Sequence, residues 1–183
     1  PAAWAQEEHD RRKRRIIADY YAQVSALDEC FGRLMTGLDD SGLAEDTIVV
    51  FTSDHGDMLF SHDRGWKGKP WRESVGIPLL FRWPGHIPID AVSSAPIGLV
   101  DLMPTLLSLA GAGIPAQTEG SDQSEVVKGD KSAVVTSQFI NFPAMPFFMR
   151  DSAWRGIVTS THTYVETHRG PWLMFDDKND PFQ

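Results

Sequence analysis

The sequence predicts an α/β layered domain followed by a small antiparallel sheet. Three observations carry that prediction: a helical spacing of apolar residues from Ile16 to Leu38, two apolar runs of strand length at 47–52 and 77–83, and short β-prone segments beyond a polar stretch at 113–130. With 183 residues, 42% of them hydrophobic, the chain can hold one ordinary domain with a small appendage.

Ile17, Tyr20, Tyr21, Val24, Leu27, Phe31, Leu34 and Leu38 recur at intervals of three and four, which predicts a helix with one buried face. The run Arg11-Arg12-Lys13-Arg14-Arg15 reads as the solvated start of that helix, and Gly42 lies just past its end. Next, Thr47-Ile48-Val49-Val50-Phe51-Thr52 is short, β-branched and continuously apolar at its centre, as expected for a strand covered on both faces in a parallel sheet. It stops at Ser53-Asp54-His55-Gly56. The run Ile77-Pro78-Leu79-Leu80-Phe81-Arg82-Trp83, closed by Pro84-Gly85, reads as a neighbouring strand with its proline tolerated at the start. The order and direction of the two strands stay open.

Asp101 is placed to cap a helix through Leu109, with Pro104 in the first turn and Gly111 as the stop. Residues 113–130 turn polar and rich in Gly and Ser, so they read as a linker or long loop. This divides the chain into an α/β part at 1–120 and, at 121–183, a linker with a small antiparallel subdomain formed by 133–139, 156–160 and 163–167.

Composition narrows the function classes. The 17 basic and 25 acidic residues give a formal charge of −8, which disfavours nucleic acid and anionic membrane surfaces as partners, and any anionic substrate then needs a local positive site. No apolar run reaches the roughly 18 residues of a membrane span. Cys30, the single cysteine, offers no disulfide framework and falls inside the predicted helix, where it reads as a small packed hydrophobe.

In open α/β sheets the ligand crevice lies beyond the carboxyl ends of the strands, and Asp54 and His55 stand at such an end. A carboxylate and an imidazole on a tight turn ended by Gly56 can face one divalent cation. A hard cation such as calcium takes about six to eight oxygen ligands, so further carboxylates would come from elsewhere in the fold. Lys67, in the polar and cationic loop of residues 61–69, is the candidate anion binder, able to hold a sulfate or phosphate oxygen beside the cation.

Thr52-Ser53-Asp54-His55-Gly56, followed by His62, Lys67, Glu73, Ile77-Pro78-Leu79-Leu80 and Trp83-Pro84-Gly85, resembles the sulfatase family of the alkaline phosphatase superfamily in order and spacing. The likeness extends upstream through Tyr20-Tyr21, Leu27-Asp28, Gly32-Arg33-Leu34 and the run Leu43 to Val49. Downstream it takes in Val100-Asp101-Leu102-Met103-Pro104-Thr105-Leu106, Phe175-Asp176 and Asn179-Asp180-Pro181, and so covers nearly the whole chain.

The resemblance implies the C-terminal portion of an alkaline-phosphatase-like layered sheet with helices. By it, Asp54 and His55 match two metal ligands, usually to calcium, and Lys67 matches the lysine that contacts the transferred sulfate. His62 either touches substrate or braces the loop, Glu73 looks like an ion-pair partner, and Trp71 stands where many relatives have tyrosine.

The family's nucleophile is a formylglycine made from Cys/Ser-x-Pro/Ala-x-Arg, and this chain has no such string: Cys30-Phe31-Gly32-Arg33-Leu34 misses both defining positions. The aspartates that follow the family's first strand are missing as well. The expected reading is therefore a fragment beginning at Pro1, whose nucleophile and remaining metal ligands belong to a missing N-terminal half. Such a chain should be inactive alone, and its targeting stays open among periplasmic, secreted and cytoplasmic.

The implied parent is a sulfuric ester hydrolase acting on a sulfated small molecule or carbohydrate. A phosphonate or phosphate ester hydrolase of the same superfamily and a non-catalytic remnant are the alternatives. The apolar residues of 139–149 read as core, as contact with the missing half, or as lining of a substrate cleft.

Overall fold

A helix of 38 residues, α1 (Ala3–Asp40), opens the computed structural model, which describes residues 3–130, 132–133, 135–142 and 153–183. It starts well before Ile16 because its charged first half supports itself through side chains one turn apart: Gln6 with Asp10, Arg11 with Glu7 and Arg15 with Asp19. Its end is a hydrogen-bonded stop in which the amides of Gly42 and Leu43 donate to the carbonyls of Asp39 and Leu38.

The expected buried face of α1 is not buried among the described residues. Tyr21, Leu27 and Leu34 are each more than 60% exposed, and Cys30 is exposed rather than packed. Phe31 meets Phe51 with ring centroids 5.0 Å apart, Lys13 reaches Asp63 and the Phe60 ring, and Asp39 pairs with Arg82 at 2.6 Å. Apolar spacing identifies the face that favours burial but carries no information about what covers it.

The strands β1 (Val49–Thr52) and β2 (Leu79–Arg82) pair antiparallel, with Val49 opposite Arg82 and Thr52 opposite Leu79. The double cover expected of a parallel-sheet strand is not seen among the described residues, since Leu80 is exposed and Phe51 meets only part of α1 through Phe31. Continuous apolarity reports two faces suited to burial and leaves strand direction undetermined. A single helical turn, α2 (Arg72–Val75), precedes β2, and Pro78 stays outside the ladder where its missing N–H costs nothing.

The next helix, α3 (Leu102–Leu109), runs as expected, but Asp101 does not cap it through its side chain. Its carboxylate instead accepts the amides of Gly98 and Ser121, both at 2.9 Å, and so ties two loops together from a buried position. The polar stretch folds back on α3 through the short helix α4 (Ser124–Val127), where the Gln123 amide donates to Thr105 and the Ser108 and Ser124 hydroxyls meet at 3.1 Å.

The C-terminal sheet is four-stranded and antiparallel in the order β3 (Ser137–Phe142), β4 (Trp154–Thr159), β5 (His162–Thr167) and β6 (Gly170–Asp176). Trp154, Thr163 and Val165 are buried on it. The fourth strand was not anticipated, although its alternation of exposed Trp172 and Met174 with half-buried Leu173 and Phe175 carries the signal. Of the apolar stretch at 139–149, residues 143–149 lie outside the described residues.

Candidate functional site

The chain leaves β1 and turns at once through Ser53, Asp54, His55 and Gly56. The Gly56 amide donates to the Ser74 carbonyl of α2 at 2.9 Å, and a β-carbon at position 56 would collide with the Glu73 carbonyl oxygen. Only glycine allows that approach. Within the turn, the Ser53 hydroxyl donates to the His55 carbonyl and the His55 amide donates to Asp54 Oδ1 at 3.0 Å.

These bonds orient the His55 ring. Its Nδ1 lies 2.8 Å from the Gly56 carbonyl oxygen, which can only accept, so Nδ1 carries the proton and Nε2 presents a lone pair. Lys67 Nζ donates to that Nε2 at 2.7 Å, and Asp54 Oδ2 stands 3.4 Å from the same nitrogen. A carboxylate, an imidazole lone pair and an ammonium thus converge at the carboxyl end of β1. The Asp54 side chain is 80% exposed, leaving its remaining lone pairs open to solvent.

Lys67 owes its position to two anchors. On one side, the Met58 amide donates to the Trp66 carbonyl at 2.9 Å, closing a loop over the fully buried Met58. Leu59, Phe60, His62, Asp63 and Trp66 all adopt left-handed φ in that loop, at a cost on the order of 1 kcal/mol or more each. Successive turn bonds at Ser61, Asp63 and Arg64 hold them there. On the other side, Gly68 lies against the Phe142 ring, with no room for a β-carbon, and its carbonyl accepts from Trp154 Nε1 at 3.1 Å.

His62 is not brought to the other three. Its ring stacks on Trp71, with centroids 5.1 Å apart, and its Nε2 lies 3.6 Å from Glu73 Oε1. Trp71 in turn meets Trp172 edge-on at 5.9 Å. Sequence reasoning missed the anchors Gly68 and Trp154, because a residue 86 positions away leaves no trace in local spacing.

Asp54 and His55 offer one hard oxygen donor and one imidazole nitrogen, a donor set suited to a divalent cation. They are two ligands, and no cluster of three or more His, Cys, Asp or Glu gathers among the described residues. A cation held at this turn would complete its shell with groups beyond those residues, and the outward-facing Asp54 carboxylate leaves them an open side.

Comparison with known proteins extends this picture. The Sulfatase family profile matches residues 2–112, and the profile for the C-terminal part of N-sulphoglucosamine sulphohydrolase matches residues 63–183. An ulvan-active sulfatase of Formosa agariphila is 38% identical over 185 residues, covering 95% of this chain and 35% of that protein. A solved structure of a protein in complex with its substrate, D-glucosamine-2-N,6-O-disulfate, superposes with a TM-score of 0.79 at 29% identity, covering 87% of this chain and 33% of the other. A phosphonate monoester hydrolase of Silicibacter pomeroyi follows at 0.73 and 27%, covering 85% and 34%. The chain spans about a third of the length of the curated relatives it matches.

Proposed function

Because the chain belongs to the sulfatase family and corresponds to its C-terminal part, we propose that the intact protein hydrolyses the sulfate ester of a sulfated carbohydrate and that this chain supplies one wall of the active site. Asp54 and His55 would hold a divalent cation, with calcium the choice that the family resemblance implies. Bound there, the cation supplies positive charge that stabilises the anionic ester group. The formylglycine nucleophile and the other metal ligands are expected outside this chain.

The observation that carries the reading is the 2.7 Å approach of Lys67 Nζ to His55 Nε2 beside Asp54. The single Nε2 lone pair of His55 can accept from Lys67 or bind a cation, not both, so a cation held there would free the Lys67 ammonium to offer its three N–H donors to ester oxygens. The ammonium thereby orients the group and stabilises charge as the leaving oxygen departs. The Nδ1 bond to the Gly56 carbonyl holds the His55 ring so that Nε2 faces the site. His62 acts as a positioning residue, bracing the loop through Trp71 and Glu73.

Sulfated carbohydrate is chosen as substrate because the relatives named above act on ulvan or bind a glucosamine disulfate. Phosphonate monoester hydrolysis is the second reading, supported by the lower likeness to the Silicibacter enzyme. In the full-length protein, Lys67→Ala should lower kcat/KM on an aryl sulfate by about 10²- to 10³-fold. Wild-type turnover by the variant would remove Lys67 from the site. A parent that cleaves phenyl phosphonates at least as fast as aryl sulfates would favour the second reading.

A further inference from the structure

The loop that carries Lys67 and the β5–β6 hairpin enclose a cleft of about 410 Å³, within the usual range of small-ligand sites. Its walls are Lys69, Trp154, His168, Arg169 and Trp172, with the Gly68 backbone between them. Although the chain carries a formal charge of −8, no Asp or Glu among the described residues lines this cleft. Neither Lys69 nor Arg169 belongs to an ion pair among the described residues. The Arg169 guanidinium lies 3.3 Å from His168 Nε2, and its amide donates to Thr167 Oγ1, which fixes the hairpin tip.

Two aromatic groups complete the cleft. Trp154 is buried with its Nε1 already bonded to Gly68, so it forms a rigid floor. Trp172 is 46% exposed and is held edge-on by Trp71, which leaves indole surface for the apolar face of a sugar ring. Lys69 follows Lys67 by two residues, at most about 7 Å along the backbone. The cleft therefore adjoins the backbone of the loop that carries Lys67.

We propose that this cleft is a subsite for an anionic sugar unit, bearing a carboxylate or a second sulfate, adjoining the unit whose ester Lys67 receives. The assignment rests on the sulfate-ester reading above. Arg169 and Lys69 would take the charge, the guanidinium through paired hydrogen bonds, while Trp172 stacks on the ring.

The test uses the full-length protein, the Lys69→Ala/Arg169→Ala double variant and Trp172→Ala. The probes are p-nitrophenyl sulfate and three sulfated disaccharides whose second unit bears a carboxylate, a second sulfate, or neither. The double variant should raise KM for an acidic disaccharide at least about tenfold more than for the neutral one or for p-nitrophenyl sulfate. Whichever acidic disaccharide loses more identifies the anion. Trp172→Ala should weaken all three disaccharides relative to the aryl ester, and Trp172→Phe and Arg169→Lys, which keep an aromatic face and the positive charge, should recover part of each loss. Equal losses on acidic and neutral disaccharides would overturn the subsite. If the parent cleaves none of these esters, the sulfatase reading fails separately. Calorimetric binding then decides the cleft: parent and double variant must differ only on acidic disaccharides, and equal affinities overturn it.

Discussion

The two ends of the chain meet their apolar surfaces in opposite ways. The C-terminal sheet pairs four successive strands and buries Trp154 and Val165, whereas α1 leaves Tyr21, Leu27 and Leu34 exposed and β1 pairs only with β2 among the described residues. A meander closes its own ladder from near neighbours in sequence; a long amphipathic helix needs cover from elsewhere. The candidate site lies at the seam. Asp54 and His55 come from the open half, and Lys67 is pinned to the closed half through Gly68 and Trp154.

That contrast can be broken most forcefully at Asp54. In the full-length protein, Asp54→Ala should cut kcat/KM on an aryl sulfate by at least about a hundredfold, and added calcium should raise the Tm of the parent but not of the variant. An equal calcium-induced rise in the variant would remove the turn from any metal site. Next come the two hydrophobic surfaces, compared in the 183-residue chain by denaturant melts. Val165→Ala should cost about 2 kcal/mol because its methyl groups are fully buried. Leu27→Ala should stay within about 0.5 kcal/mol. A large loss at Leu27 would mean that the stripe is covered in solution.

The seam itself is probed by Trp154→Phe, which keeps an aromatic ring but removes the donor to the Gly68 carbonyl. It should cost about 1 kcal/mol and impair aryl sulfate turnover more than a neutral surface change does, as measured by melts and kinetics of the full-length protein. The smallest effect belongs to the surface of the sheet. The Arg155 hydrogen bond and charge hold the Glu166 carboxyl below its ordinary 4.5, so the pair contributes stability above that pH. The contribution fades as pH falls through the lowered value. The stability difference between parent and Arg155→Met should therefore be present at neutral pH and shrink on acidification. A difference that grows in acid would refute the pairing.

How far the fold could be read in advance varied with the range of the contacts involved. The helix spacing, the two strand runs and the Asp54-His55-Gly56 turn were legible because neighbours along the chain define them. Asp101 misled: a residue well placed to cap α3 bonds instead to Gly98 and Ser121. His62, in the same loop as Lys67, was equally ambiguous until its left-handed backbone turned it onto Trp71.

The sequence by itself determined α1, α3, the two apolar strand runs, their order and the family, since periodicity, turn chemistry and motif spacing are properties of adjacent residues. Only the tertiary structure decided that β1 and β2 run antiparallel, that the α1 stripe stays open among the described residues, and that Lys67 and His55 share one hydrogen bond. It also decided that a hairpin tip about a hundred residues away stands beside Lys69. Such juxtapositions depend on the summed packing of distant segments, which no local pattern encodes.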